Sequence, residues 1–99
     1  MTIKIDPEEN ELRALRNISD WRNQRVLEIG CGEGRLTLRL ARLGAKMIHA
    51  IDPSVESIRT ARKNLPARFA DRIRYKTGKA EKLKHPPASF DMVVFSWVL

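Results

Sequence analysis

The chain has 99 residues, 42% of them hydrophobic and 31% charged, and its 19 basic and 12 acidic side chains give a net charge of +7. This composition suits one globular unit at the lean end of domain size and argues against a disordered chain, which would lack the apolar content for a core. No apolar run approaches the ~18 residues a membrane span needs, and a single cysteine excludes an internal disulfide, so the expected location is the cytoplasm.

The first element expected is a leading helix within residues 1–22. Asp6 can cap it, Pro7 suits its first position, Glu9 stands three after the cap, and Leu12, Leu15 and Ile18 give one apolar face. From Arg25 the pattern changes to Val26-Leu27-Glu28-Ile29, a short apolar run stopped by Gly30, Gly32 and Gly34, which fits a buried strand ending in a tight turn. Leu36, Leu40 and Leu43 then recur at helical spacing until Gly44 supplies a stop. Met47 to Ile51 reads as a second strand, and Val55, Ile58, Ala61 and Leu65 line a second helix that Pro66 closes.

A third strand is expected at Arg72–Thr77, where Ile73, Tyr75 and Thr77 alternate with Arg72, Arg74 and Lys76, a cationic pattern suited to a sheet edge. Residues 59–84 hold ten basic and two acidic groups, whereas residues 1–34 hold five and seven. Such a lopsided field can attract nucleic acid or an anionic substrate, and it equally describes a solvated face; only Phe69 and Tyr75 interleave the cations, so a base-stacking platform has little support. Asp91 to Leu99 is nearly continuous apolar sequence, as expected of a central strand buried on both faces. Strands alternating with helices over connections of this length imply right-handed crossovers and a Rossmann-like, doubly wound parallel α/β sheet with helices on both faces. Residues 1–99 read as a single domain, with residues 25–99 as its nucleotide-binding core, and ligands of such sheets bind beyond the carboxyl ends of the strands.

The loop Glu28-Ile29-Gly30-Cys31-Gly32-Glu33-Gly34 follows a strand and opens a helix, the context a nucleotide-binding glycine loop requires. Its spacing departs from the dinucleotide pattern, because Arg35 stands where the third glycine is expected; pyrophosphate binding is thereby disfavoured. Asp52 closes the second strand, 18 residues after Gly34, where a carboxylate can accept from both hydroxyls of a ribose. Asp52-Pro53-Ser54 also reads as a helix entry, with Asp52 as cap. Glu28 is a carboxylate inside an apolar strand, costly to bury unless a donor meets it. His49 and His85 lack a second ligand at metal spacing, so no metal site is expected.

Those segments together resemble the class I S-adenosylmethionine-dependent methyltransferases. Val26 to Gly34 resembles their first motif, Asp52 the acid closing their second strand, Gly78-Lys79-Ala80-Glu81 the adenine-side loop, and Ser89 to Ser96 the run into their fourth strand. The resemblance covers Val26 to the last residue and is nearest the branch acting on small metabolites and quinone precursors.

The resemblance implies S-adenosylmethionine as cofactor and S-adenosylhomocysteine as its product. The backbone of Gly30, Cys31 and Gly32, in a loop closed by Gly34, would follow the methionine part, and Glu28 would help to hold its amino group. Asp52 would bind the ribose, Pro53 would flank the adenine, Ala80 would offer it a backbone amide, Glu81 would brace that loop, and Ser96, with Trp97, would lie near the methionine end. Lys79 departs from the family pattern, because a lysine cannot accept a hydrogen bond from the adenine amino group; its expected place is solvent. No general base can be nominated.

The family sheet runs 3-2-1-4-5-7-6, so a sheet ending at its fourth strand, in the order 3-2-1-4, is expected to leave that strand as an open edge. The expectation drawn from this is pairing, either in a homodimer or with a second chain. The expected function is methyl transfer to a small-molecule acceptor; the alternatives are a non-catalytic cofactor-binding module and part of an RNA methyltransferase.

Overall fold

The computed structural model describes residues 2–4, 20–79 and 89–96. The described elements are strands β1 (Thr2–Lys4), β2 (Arg25–Ile29), β3 (Met47–Asp52), β4 (Ile73–Thr77) and β5 (Met92–Phe95), with helices α1 (Arg35–Arg42) and α2 (Val55–Lys63). All pairings are parallel, in the order β1-β5-β2-β3-β4. Without β1, this is the 3-2-1-4 order expected from the sequence. Of the leading helix expected over residues 1–22, residues 2–4 form a strand instead and 20–22 are not helical, while its capping and apolar positions from Asp6 to Ile18, like His85, lie outside the described residues.

The steps from β2 to β3 and from β3 to β4 move in one direction across the sheet, so right-handed crossovers carry α1 and α2 onto the same face. Strand residues of that face (Val26, Ile48, Ala50, Ile73, Tyr75, Met92 and Val94) form one buried cluster with Leu36, Leu40, Ile58 and Ala61 from the two helices. Leu40, Ile48 and Ile58 are almost wholly buried, and each such aliphatic side chain contributes about 1.5–3 kcal/mol. Trp21, 2% exposed, joins this cluster just before β2. On the opposite face Leu27 and Ile51 are buried, and His49 meets the ring of Phe90 edge-on at 5.3 Å.

Two helix boundaries follow local chemistry. Leu43 ends α1 and Gly44 follows at φ +99°, a conformation in which a β-carbon would stand 2.9 Å from Cγ of Arg22. Ser54 caps α2, its hydroxyl accepting from the amide of Ser57 at 3.1 Å, and it displaces Asp52 from the capping role the sequence left open. Val55 does not line the helix core as its spacing suggested: it is 56% exposed, on the same helix face as the exposed Arg59 and Lys63, one and two turns on.

The expectation of an open fourth strand is corrected by β1. Its residues Thr2, Ile3 and Lys4 pair with Val93, Val94 and Phe95, so an edge of β5 that would be open in a four-stranded sheet is paired within the chain. The sequence concealed this strand because three residues carry no usable period. No described helix is long and apolar enough to cross a membrane.

Candidate functional site

At the carboxyl end of β2 the chain makes three left-handed turns, with φ of +83° at Gly30, +56° at Gly32 and +92° at Gly34. Two of these positions have opposite reasons for being glycine. Beyond Gly32 nothing lies within 4 Å of a β-carbon position, so the loop borders open space there. At Gly34 a β-carbon would collide with the hydroxyl of Tyr75, so the loop is packed against the protein there.

The hydrogen bonds of this loop decide what it can bind. The amides of Gly30 and Cys31 both donate to the carbonyl of Ile51, at 2.8 and 3.0 Å, the amide of Gly34 donates to the carbonyl of Cys31, and that of Gly32 donates to Oδ2 of Asp52 at 2.9 Å. Four glycine-loop amides are therefore taken by protein acceptors, whereas the carbonyls of Gly30, Cys31 and Gly32 each accept one bond and keep a second lone pair. Such a loop complements a cation better than a phosphate, which would need free N–H donors.

Asp52 sits where β3 delivers it, 9% exposed beside the loop. Oδ2 accepts from Gly32 and Oδ1 accepts from the amide of Ser54 at 2.9 Å, while the Asp52 carbonyl accepts from the amide of Gly78. An ionised carboxylate has about four acceptor positions, so two remain for hydroxyl donors. A β-carbon at Gly78 would likewise find nothing within 4 Å, so open space borders this acid from both neighbouring loops.

Glu28 stands on β2, one residue before the strand ends at Ile29. It is fully buried and accepts a hydrogen bond from the hydroxyl of Thr37, also fully buried, on α1. The donor that a buried carboxylate requires thus comes from the helix behind the loop. Tyr75 joins the same group through Thr37, and burial is the main cause of its raised phenol pKa, pushed up to about 12. Thr37 and Tyr75 escaped the sequence reading; the available signal was a hydroxyl among the apolar positions Leu36, Leu40 and Ala41.

Ser96, at the tip of β5, donates from its amide to the carbonyl of Ile29 at 3.0 Å and from its hydroxyl to that of Gly30 at 2.9 Å. It ties the fourth strand of the 3-2-1-4 set to the start of the glycine loop. Cys31 is 6% exposed, and burial, followed by the charges of Glu28 and Asp52, pushes its thiol pKa strongly upward. That environment keeps it protonated and unsuited to nucleophilic attack. Pro53 is exposed next to Asp52 and Lys79 is exposed beyond Gly78, whereas Ala80, Glu81 and Trp97 lie outside the described residues. Among the described residues no group of three His, Cys, Asp or Glu side chains is placed to hold a metal.

Residues 26–99 match the methyltransferase domain family. The chain belongs to the class I S-adenosylmethionine-dependent methyltransferases. Among curated methyltransferases, it is 38% identical over 76 residues to the ubiquinone biosynthesis O-methyltransferase of Neisseria meningitidis serogroup C, which covers 76% of this chain and 32% of that protein. It is 34% identical over 85 residues to protein arginine N-methyltransferase 1 of Schizosaccharomyces pombe, covering 85% of this chain and 25% of that one. Among solved structures, the Haemonchus contortus phosphoethanolamine N-methyltransferase 1, in complex with phosphoethanolamine and S-adenosylhomocysteine, superposes with a TM-score of 0.72 at 29% identity, over 86% of this chain and 18% of that one. The chain thus spans about a third or less of the length of these methyltransferases.

Proposed function

We propose that the chain binds S-adenosylmethionine across the carboxyl ends of β2 and β3 and forms the cofactor-binding part of an enzyme that transfers its methyl group. The observation that carries this reading is the inverted polarity of the glycine loop, with amides consumed and carbonyls available beside a carboxylate that has acceptor capacity left. A ligand carrying an ammonium, a sulfonium and a ribose diol supplies the donors and positive charge that this arrangement lacks.

Gly30, Cys31 and Gly32 would follow the methionine part with their backbone, Gly34 would keep the loop closed against Tyr75, and Asp52 would accept from the ribose hydroxyls. Pro53 would flank the adenine, with Ala80 and Glu81 on its other side, and Ser96 would hold the fourth strand's tip against the methionine end. Glu28 would act from beneath, its buried negative charge favouring the cationic end of the ligand through the loop. When bound, the cofactor supplies an activated methyl group for in-line displacement, so the protein's contribution is alignment and exclusion of water. The acceptor implied by the resemblance is a small molecule; the name of the Neisseria relative supports that class, and the name of the fission yeast relative points to protein arginine.

Calorimetry with S-adenosylmethionine and S-adenosylhomocysteine, on the wild type and on Asp52→Ala, tests the reading. Losing charge-assisted hydrogen bonds worth about 1.5–3 kcal/mol predicts affinity weaker by roughly ten- to a hundredfold. Equal affinity in the two proteins would remove the ribose assignment, and absence of binding to the wild type would remove the function.

A further inference from the structure

The eight cations of residues 59–79 face a single acid, Asp71. Three of them have structural employment. Arg62 reaches round the sheet edge and donates to the carbonyl of Tyr75 at 2.7 Å, Arg72 donates to the carbonyl of Ala41 at 2.8 Å, and Arg68 and Arg72 both lie over the ring of Phe69. The other five, Arg59, Lys63, Arg74, Lys76 and Lys79, are exposed and make no hydrogen bond or ion pair among the described residues.

The fold assembles those five on one border of the molecule. Arg59 and Lys63 stand four apart on α2, one helical turn, and α2 packs along the edge strand β4. Arg74 and Lys76 alternate out of β4 onto the opposite side of the sheet, where they and Arg62 rim a cavity of about 350 Å³ floored by Leu27, His49 and Ile51. Lys79 follows Gly78, whose amide is bonded to the Asp52 backbone. The positive border therefore wraps the sheet edge and ends beside the candidate cofactor site.

We propose that this border, formed by α2 and β4, is a docking surface for double-helical nucleic acid, held by its phosphates. A protein partner would need a large aromatic or long apolar anchor, a role in which valine is under-represented, and the one exposed large hydrophobic side chain among the described residues is Val55, one turn before Arg59 on α2. Unpaired bases would need an exposed ring to stack on, and Phe69 is 6% exposed beneath two guanidiniums. Unpaired cations in a row, with neither kind of anchor, match a phosphodiester backbone. The inference goes beyond methyl transfer and does not rest on it, because the duplex would be held whether or not the cofactor site is filled.

Fluorescence anisotropy with a labelled 20-base-pair RNA duplex, and with a DNA duplex of the same sequence, measures the interaction across a salt series. Five phosphate contacts predict an affinity falling with the logarithm of salt at a slope of about −4.5. Arg74→Gln combined with Lys76→Gln is expected to make that slope shallower by about 2 and to weaken binding at least about tenfold at low salt. The charge-matched pair Arg42→Gln with Lys46→Gln, outside the five residues of this border, is expected to change it far less. Circular dichroism and S-adenosylmethionine affinity of each variant separate loss of the surface from loss of the fold or of the cofactor site. Equal losses in the two variant pairs would reduce the effect to bulk charge, tighter binding of polyglutamate than of either duplex would reassign the surface to acidic protein, and no duplex binding at low salt would end the proposal.

Discussion

Thr37, on the first helix after the glycine loop, donates a hydrogen bond from its hydroxyl to the carboxylate of Glu28 in the strand before it, and neither residue is exposed. They stand nine positions apart in the chain, and the whole loop lies between. The pair thus fixes the angle at which β2 hands over to α1, which is the geometry any ligand of the loop depends on. Thr37→Val keeps the shape and removes the donor, and withdrawing a hydrogen bond from a buried carboxylate costs about 1.5–3 kcal/mol. Urea denaturation is expected to show that loss, with Thr37→Ser recovering most of it; a Thr37→Val protein as stable as wild type would show that other donors suffice for Glu28.

Gly34 and Tyr75 form a second coupled pair beneath the same loop. Alanine at 34 would hold a left-handed backbone at φ +92° and drive its β-carbon into the Tyr75 hydroxyl. Backbone strain alone costs about 1–3 kcal/mol, so Gly34→Ala is expected to lose that much and the collision energy besides. In a Tyr75→Phe background the hydroxyl is gone, and the penalty for Gly34→Ala is expected to fall by at least about 1 kcal/mol, a coupling typical of residues in contact. Additive penalties in the double-mutant cycle would mean that the loop relaxes away from β4.

The same packing explains which parts of this architecture could be read in the sequence. Gly30, Gly32 and Gly34 were legible as a tight loop, and so as a candidate ligand loop, because left-handed turns demand glycine, and Asp52 was legible as a candidate because a short polar residue closing an apolar strand stands out. The four main strands and their parallel sense followed from alternation and handedness, whereas their order, 3-2-1-4, was what the family resemblance implied. Thr37 was not legible: a threonine among leucines on a helix gives no sign of what it meets across the core until the fold sets β2 beside α1. Nor was β1, whose place in the sheet comes wholly from a long-range pairing with β5. The polarity of the glycine loop was also hidden, since the Ile51 carbonyl that absorbs two of its amides belongs to the neighbouring strand.

Cys31 ties the loop to an alkaline pH dependence. Burial raises its thiol pKa from a reference value of 9.0, and the charges of Glu28 and Asp52 add to the shift. A group whose folded pKa is raised keeps its proton longer in the folded state, so its contribution to stability is intact below the unfolded pKa and declines as the pH rises beyond it. Unfolding free energy is therefore expected to fall from about pH 9 upward, with Tyr75 adding a further decline between 10.0 and about 12. Cys31→Ala should remove the first part of the decline and leave the second. At pH 8, labelling of the native thiol by a disulfide reagent should run at least about a hundredfold slower than in urea, since the thiolate is both scarce and covered; equal rates would place Cys31 at an open surface.

Removing residues 1–5 tests what β1 contributes. Three parallel pairings are a small ladder, yet they cover β5, whose Met92-Val93-Val94-Phe95 run carries no charge and no proline. An uncovered strand of that composition presents free backbone donors and acceptors to any other chain. Sedimentation velocity at tens of micromolar is expected to show the full chain as a monomer with respect to this edge and the shortened chain as a dimer or larger species. Hydrogen exchange separates this cause from general unfolding: in the shortened chain the amides of Val93 to Phe95 should lose protection in dilute solution, while those of Val26 to Glu28, two strands inward from β1, keep theirs. A shortened chain that stays monomeric with Val93 to Phe95 still protected would show that β5 is shielded by something other than β1.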